Sequence, residues 1–259
     1  MTEQLSVHQD SGADFLGAVI ASLPISLAFG GPDADLHAVT GTPGWTSRAV
    51  RAIDNGARGI VIINPVAEDT RPLEGKVVAA QVPVVIDYPA ASNTAVAEGA
   101  AEFLAAASGA ALFNAFVSVR SSPGLQQAEL DLVAVAERLV GPLKDLRTLR
   151  SSNLGFSIAA TLPSNGAPAT LSGTVSSATP YRIRATLITT DGAVEIQLPE
   201  PATARPAEVT VTGAGGMTLF PTVFESAHRS TWRRLHRLVL AGELPADLAD
   251  FNHLTTLLA

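Results

Sequence analysis

Three histidines near the C-terminus, His228, His236 and His253, stand close to Glu225 and Glu243. Imidazole and carboxylate together make up many zinc sites. Glu225 and His228 have the spacing that puts two ligands on one helix face, but no third ligand follows in register. The set reads as a solvated helix face, and no metal is expected. "RRLHR" (Arg233 to Arg237) is short and has no interleaved aromatics, so it reads as a charged helix face and not a phosphate site. "VTGAGG" (Val211 to Gly216) is rich in glycine, but no helix directly follows it, as a phosphate loop requires. It reads as a turn. Ser121-Ser122 and Ser151-Ser152 lack the Gly-x-Ser-x-Gly setting of a hydrolase nucleophile. With no cysteine in the chain, thiolate catalysis, disulfides and cysteine metal sites are excluded.

The elements that must position any such group come from a chain with a large core. Of its 259 residues, 47% are apolar and 16% charged, a balance opposite to that of disorder. The net charge of −7 and the pI near 5.2 argue against a nucleic-acid partner, which would need clustered Lys and Arg. Phe15 to Phe29 is apolar but broken by Pro24 and too short to span a bilayer. No Lys or Arg precedes it, so it is a poor export signal. A cytoplasmic protein with no membrane partner is expected.

Along the first 90 residues, short apolar runs alternate with helical ones. "LSVHQ", "ISLAFGG", "LHAVTGTP", "GIVII" and "VPVVIDYP" read as strands. Gly12 to Leu23, Trp45 to Gly56 and the region around Leu73 to Ala80 read as helices. Strands separated by helices argue for a parallel sheet. Ser92 to Gly109 and Leu125 to Gly141 read as longer helices, with "ALFNAFVSVRS" between them as a strand. From Leu143 to Val211 the chain is strand-like, with clear alternation in "YRIRATL": Ile183, Ala185 and Leu187 on one side, Arg182, Arg184 and Thr186 on the other. That pattern argues for an antiparallel sheet. Two helices close the chain.

From about Asp33 onward the chain resembles the Gfo/Idh/MocA family, the glucose-fructose oxidoreductase and inositol dehydrogenase group. The resemblance lies in ordered segments: "DADLHAVTGTP", the helix "TSRAVRAIDNGA", "GIVIINPVA", "ELDLVAVAERLVGPLKDLRTL", "TTDGAVEIQLPE" and the closing helices. It implies a dinucleotide-binding domain followed by a helix-backed sheet, and NAD(P)-dependent chemistry on a sugar or polyol. The departures fall on the family's functional positions. The glycine-rich first turn is here "QDSGADFLG", with Gly12 flanked by Asp10 and Asp14, two carboxylates set to repel a pyrophosphate. One helix is missing before Leu36. The strand that ends in Glu-Lys-Pro in the family ends here in Asn64-Pro65, without the lysine. Its histidine and aspartate fall on the helix of Asp131 and Ala134, and no His lies between His37 and His228. Asp131 is the candidate base on that helix. The alternative reading of Asp131 is an exposed helical carboxylate.

The expected fold class is α/β plus α+β: a truncated Rossmann-like domain over 1–90, then an antiparallel α+β domain with the C-terminal helices over 91–259. A remnant cleft is expected at Thr42, Pro43, Asn64 and Pro65. The departures make the expected function that of a degenerate, non-catalytic binding, scaffold or partner subunit with no cofactor. The alternatives are an NAD(P)-dependent sugar or polyol oxidoreductase and a small-ligand sensor. Weakly charged strands such as "ATLSGTVSS" lead us to expect pairing with a second copy or a related chain through the open sheet face.

Overall fold

In the computed structural model, the described residues are 4–10, 13, 15–23, 27–201, 203, 205–222 and 224–259. They divide into two units, Met1–Tyr88 with Ala227–Thr256, and Pro89–Ser226 with Leu257–Ala259.

The first unit holds β1 (Leu5–Gln9), α1 (Leu16–Ala21), β2 (Leu27–Phe29), β3 (Leu36–Thr40), α2 (Trp45–Asp54), β4 (Gly59–Ile63), α3 (Arg71–Ala80) and β5 (Val84–Asp87). Its strands form a parallel five-stranded sheet in the order β2-β1-β3-β4-β5. β4 is buried along its whole length, as a strand covered on both faces must be. The helix expected over Gly12 to Leu23 is the shorter α1; Gly12 itself lies outside the described residues.

The last helices, α6 (Ala227–Ala241) and α7 (Asp247–Leu257), belong to the first unit and not to the second, where the sequence pattern put them. Their apolar faces explain this. Trp232, Leu235 and Leu238 of α6 join Leu16 and Ile20 of α1, Val7, Ala38 and Val61 in one core. Phe251 of α7 meets Trp45 of α2 edge to face, with ring centroids 5.6 Å apart. Asp247 accepts hydrogen bonds from the amide of Ile86 (2.8 Å) and from both terminal nitrogens of Arg234 (2.8 and 2.6 Å). It thereby satisfies an amide on the edge strand β5.

The second unit holds α4 (Thr94–Ala107), β6 (Ala110–Val119), α5 (Leu125–Val140), β7 (Lys144–Ser152), β8 (Gly155–Thr161), β9 (Pro168–Val175), β10 (Arg182–Thr189), β11 (Ala193–Pro199), β12 (Glu208–Gly213) and β13 (Gly216–Leu219). Asn93 caps α4 by accepting from the amide of Ala95 at 3.0 Å. The sheet is eight-stranded, ordered β13-β12-β11-β10-β6-β9-β8-β7. It is mixed, not purely antiparallel: β6 pairs with β9 in parallel. Alternation could not reveal this, because a half-buried strand has the same period beside a parallel or an antiparallel neighbour. The side assignment in "YRIRATL" holds, with Ile183, Ala185 and Leu187 fully buried. "VTGAGG" ends β12 and turns through Ala214-Gly215 into β13.

Candidate functional site at the carboxyl ends of the parallel strands

The sheet of the first unit changes direction at one place. From β1 the chain passes outward to β2, then returns to β3 on the other side of β1. Such a reversal opens a crevice at the carboxyl ends of the two central strands, where open α/β sheets bind ligands. The crevice is bounded by Gln9 and Asp10 at the end of β1 and by Gly41 to Gly44 after β3.

Arg48, in the first turns of α2, organises that crevice. Its Nε donates to Asp10 Oδ2 at 3.0 Å, and both groups are about a quarter exposed. Its terminal nitrogens donate to the carbonyls of Thr40 (2.6 Å), Thr42 (3.0 Å) and Pro43 (3.1 Å) and to Thr42 Oγ1 (2.8 Å). One guanidinium therefore fixes the whole β3–α2 loop, using the fork of donors that only arginine has. Glu68 caps α2 from the next loop. It accepts from the amides of Gly44 and Thr46 and, at 2.9 Å, from the Thr46 hydroxyl. Burial pushes the Glu68 carboxyl up, but these donors outweigh burial and hold it below the usual range.

The four cleft residues do come together. Thr42 and Pro43 are exposed, Asn64 is half-buried and Pro65 is buried. The loops after β3 and β4 are laced by Gly41 N to Ile63 O and Val66 N to Gly41 O, both 2.8 Å. A Cβ on Gly41 would stand 2.2 Å from Pro65 Cα, so only glycine permits this approach. Asn64 sits in the left-handed region at φ 47°, which Asn tolerates better than lysine does.

Asp131 is not an exposed carboxylate. It is 1% exposed and lies in the second unit. Its oxygens accept from the amides of Ala90 and Ala91 at 2.8 Å each, and from Tyr181 Oη at 3.1 Å. Burial pushes its carboxyl up to about 6 against the pull of those donors. With both oxygens engaged, it anchors the Ala90–Ala91 turn, a structural task that competes with proton abstraction.

A different pair has the form of a proton-transfer dyad, and sequence reasoning missed it. Asp87 ends β5 and is fully buried. His228 Nδ1 lies 2.6 Å from its Oδ2, and the Thr231 hydroxyl donates to its Oδ1 at 2.9 Å. The imidazole is 13% exposed and packs on Phe15, with ring centroids 4.5 Å apart. The two residues are 141 positions apart, so no local motif could have announced them. The C-terminal histidines are therefore not one solvated face: His236 is buried too, and only His253 is exposed. Among the described residues, no group of three His, Asp or Glu side chains could hold a metal ion. No helix among them is long and apolar enough to cross a membrane.

The donor set of the crevice can be tested against a nicotinamide nucleotide. Gln9 Oε1, at the end of β1, is buried and without a hydrogen-bond partner, an open acceptor of the kind a ribose hydroxyl satisfies. Gly31, just past β2, has nothing within 4 Å of where a Cβ would stand. Asp10 does not present a bare charge, because Arg48 pairs with it. Gly12 and Asp14 lie outside the described residues. An open acceptor, free space and a neutralised carboxylate fit such a nucleotide.

No protein-family model matches the chain, and no curated protein does. Solved structures do. A putative NADPH-dependent oxidoreductase from Desulfitobacterium hafniense aligns with a TM-score of 0.80 at 11% identity, covering 100% of this chain and 95% of that one. KijD10, a 3-ketoreductase from Actinomadura kijaniata solved with NADP and TDP-benzene, aligns at 0.67 with 14% identity, covering 96% and 85%. The UDP-N-acetylglucosamine 3-dehydrogenase GnnA from Acidithiobacillus ferrooxidans aligns at 0.65 with 17% identity, covering 96% and 86%. These matches correct two expectations, that of a non-catalytic subunit and that of no cofactor: the fold is shared with oxidoreductases, among them one holding NADP. The expected repulsion by two acids counted Asp10 as unpaired, which it is not. The resemblance carried by the ordered segments stands: this chain has the fold of the Gfo/Idh/MocA oxidoreductases.

Proposed function

We propose that the chain is a nicotinamide-nucleotide-dependent oxidoreductase acting on a hydroxyl or keto group of a sugar or polyol. The observation that carries the reading is the crevice at the strand reversal, whose Gln9 acceptor and Arg48-neutralised Asp10 suit a nucleotide. The fold-level likeness to a ketoreductase and a nucleotide-sugar dehydrogenase supports the substrate class. A nicotinamide supplies hydride exchange when bound. The chain's own part is to hold the nucleotide with Gln9 and the β3–α2 loop, and to move the hydroxyl proton. His228, pinned at Nδ1 by Asp87, is our assignment for that proton. An imidazole oriented by a buried carboxylate is a general base suited to neutral pH.

Calorimetric titration of the full chain with NADH and NADPH tests the cofactor reading. Saturable binding of either is expected, and no binding of both at millimolar concentration refutes it. Turnover is read from reduced-nicotinamide absorbance over a panel of sugars, polyols and nucleotide sugars. His228→Gln should lower kcat by about 10²- to 10⁴-fold while leaving nucleotide affinity unchanged. Equal loss of affinity and kcat would make His228 a structural residue.

A further inference from the structure

A carboxylate orients an imidazole only if the carboxylate is itself held in place, and at the end of β5 the holding group is a hydroxyl. Asp87 Oδ2 lies 2.6 Å from His228 Nδ1, and Asp87 Oδ1 accepts from the Thr231 hydroxyl at 2.9 Å. His228 and Thr231 stand one turn apart on α6, so one helix face presents both groups to the same carboxylate. Asp87 is fully buried and Thr231 is 4% exposed. A threonine inside a helix commonly bonds the carbonyl four residues back. Here its hydroxyl proton goes to a side chain of the sheet instead.

The last torsion of an aspartate is broad and nearly two-fold, so a carboxylate held at one oxygen can turn and exchange the oxygen it offers. Donors on both oxygens remove that freedom. The ring has a separate constraint. Phe15 packs on it with centroids 4.5 Å apart and planes inclined by 35°. An apolar ring fixes the plane of the imidazole but cannot choose which nitrogen carries the proton. That choice follows from the hydrogen bond at Nδ1. An ionised carboxylate can only accept, so it calls for the proton on Nδ1 and puts the lone pair of the neutral ring on Nε2.

We propose that Thr231 is a positioning residue for His228: its hydroxyl locks Asp87 and thereby keeps the neutral imidazole in the Nδ1–H tautomer. The tautomer rests on the geometry at the end of β5, and its catalytic use rests on the oxidoreductase reading above. When the O–H bond of the substrate breaks, its proton goes to Nε2. The Nδ1–H bond to Asp87 is kept throughout, and the carboxylate balances the charge of the imidazolium.

The test reads the ring nitrogens of the five histidines by NMR of the isotope-labelled full chain at about pH 8.5, where an unperturbed imidazole is neutral. The signals missing from His228→Gln are those of His228. In wild type its proton should lie on Nδ1. Thr231→Val keeps the shape and removes the donor. It should move His228 toward the Nε2–H tautomer and lower kcat by about 10- to 100-fold, with nucleotide affinity unchanged. Thr231→Ser, which keeps the hydroxyl, should restore both. Thr231→Ala replaces the valine variant if that one does not melt cooperatively. A wild-type ring protonated on Nε2 overturns the assignment and leaves the nucleotide reading intact. A tautomer unmoved by loss of the hydroxyl, or moved as far in Thr231→Ser, overturns it as well. Absence of turnover, with an Nδ1–H ring that shifts in Thr231→Val, removes the oxidoreductase reading and upholds the locking of Asp87.

Discussion

Replacing Asp131 by asparagine should change how stability depends on pH more than it changes stability itself. Burial pushes the Asp131 carboxyl from its ordinary 3.8 to about 6. A carboxyl with a raised folded-state value holds its proton more tightly in the fold than in the unfolded chain. Its stabilising share is therefore fully present below 3.8 and is lost as pH rises through about 6. A shift of about two units corresponds to ~3 kcal/mol over the whole window, of which ~2 kcal/mol falls between about pH 7.5 and pH 4.5.

The asparagine side chain cannot titrate, so the Asp131→Asn variant loses that share. It also offers one oxygen to donors that now use two. The amides of Ala90 and Ala91 and the Tyr181 hydroxyl all point at the carboxylate, and one amide is left facing an NH2 group, at a cost of about 1–3 kcal/mol. At about pH 7.5 this cost and the relief of a buried charge nearly cancel. At about pH 4.5 the relief is gone, and the variant should be less stable than wild type by ~2 kcal/mol. Urea unfolding at both pH values is the assay, followed by far-ultraviolet circular dichroism. Both tryptophans, Trp45 and Trp232, lie in the first unit, so their fluorescence would not report on this site. The reasoning is refuted if the difference between variant and wild type is the same at both pH values. It is also refuted if that difference shrinks on acidification.

Arg234→Met strips the guanidinium from Asp247, which is buried and also serves the Ile86 amide. It should cost about 3 kcal/mol, the low end for a broken buried pair because the arginine is itself 40% exposed; tryptophan fluorescence during urea unfolding reads it directly. Pairing of copies through the open face of the second sheet, which we propose from the weakly charged Thr170, Ser172 and Thr174, predicts that Ser172→Asp with Thr174→Asp lowers the mass seen by light scattering while leaving the fold intact. A wild type that is monomeric at tens of micromolar would end that proposal.

The fold was largely legible because it follows from periodicity, and the site was not because it follows from pairing. Buried runs such as "GIVII" announce a parallel strand by being apolar throughout, and Ser92-Asn93 announces a helix start by its capping chemistry, which the structure assigns to Asn93. What periodicity omits is which strand lies beside which. The parallel β6–β9 pair and the return of α6 and α7 to the first unit both rest on contacts between segments distant in sequence. The same limit governed the chemistry. Asp10 and Asp14 read as two free negative charges because sequence distance hides Arg48, 38 positions from Asp10 and 3.0 Å away in the fold. Asp87 read as one residue of the buried strand "VPVVIDYP" because its imidazole comes from the far end of the chain.

Asp131 and Asp87 show why a carboxylate's role cannot be assigned from its place in a motif. Both are almost wholly buried, and both accept from groups held by neighbouring backbone or helix. They differ in what those groups are. Asp131 is met by two backbone amides and a phenol, which keep their protons at neutral pH and together fix the Ala90–Ala91 turn. Asp87 is met by an imidazole and a hydroxyl, and an imidazole gains and loses its proton near neutrality. A buried carboxylate beside such a ring fixes its orientation and stabilises its protonated form, which is what a proton acceptor for an alcohol needs. On the proposed function, the helix resembling the family's catalytic segment keeps its aspartate for architecture, and the proton is handled in the first unit, where α6 brings His228 to the end of β5.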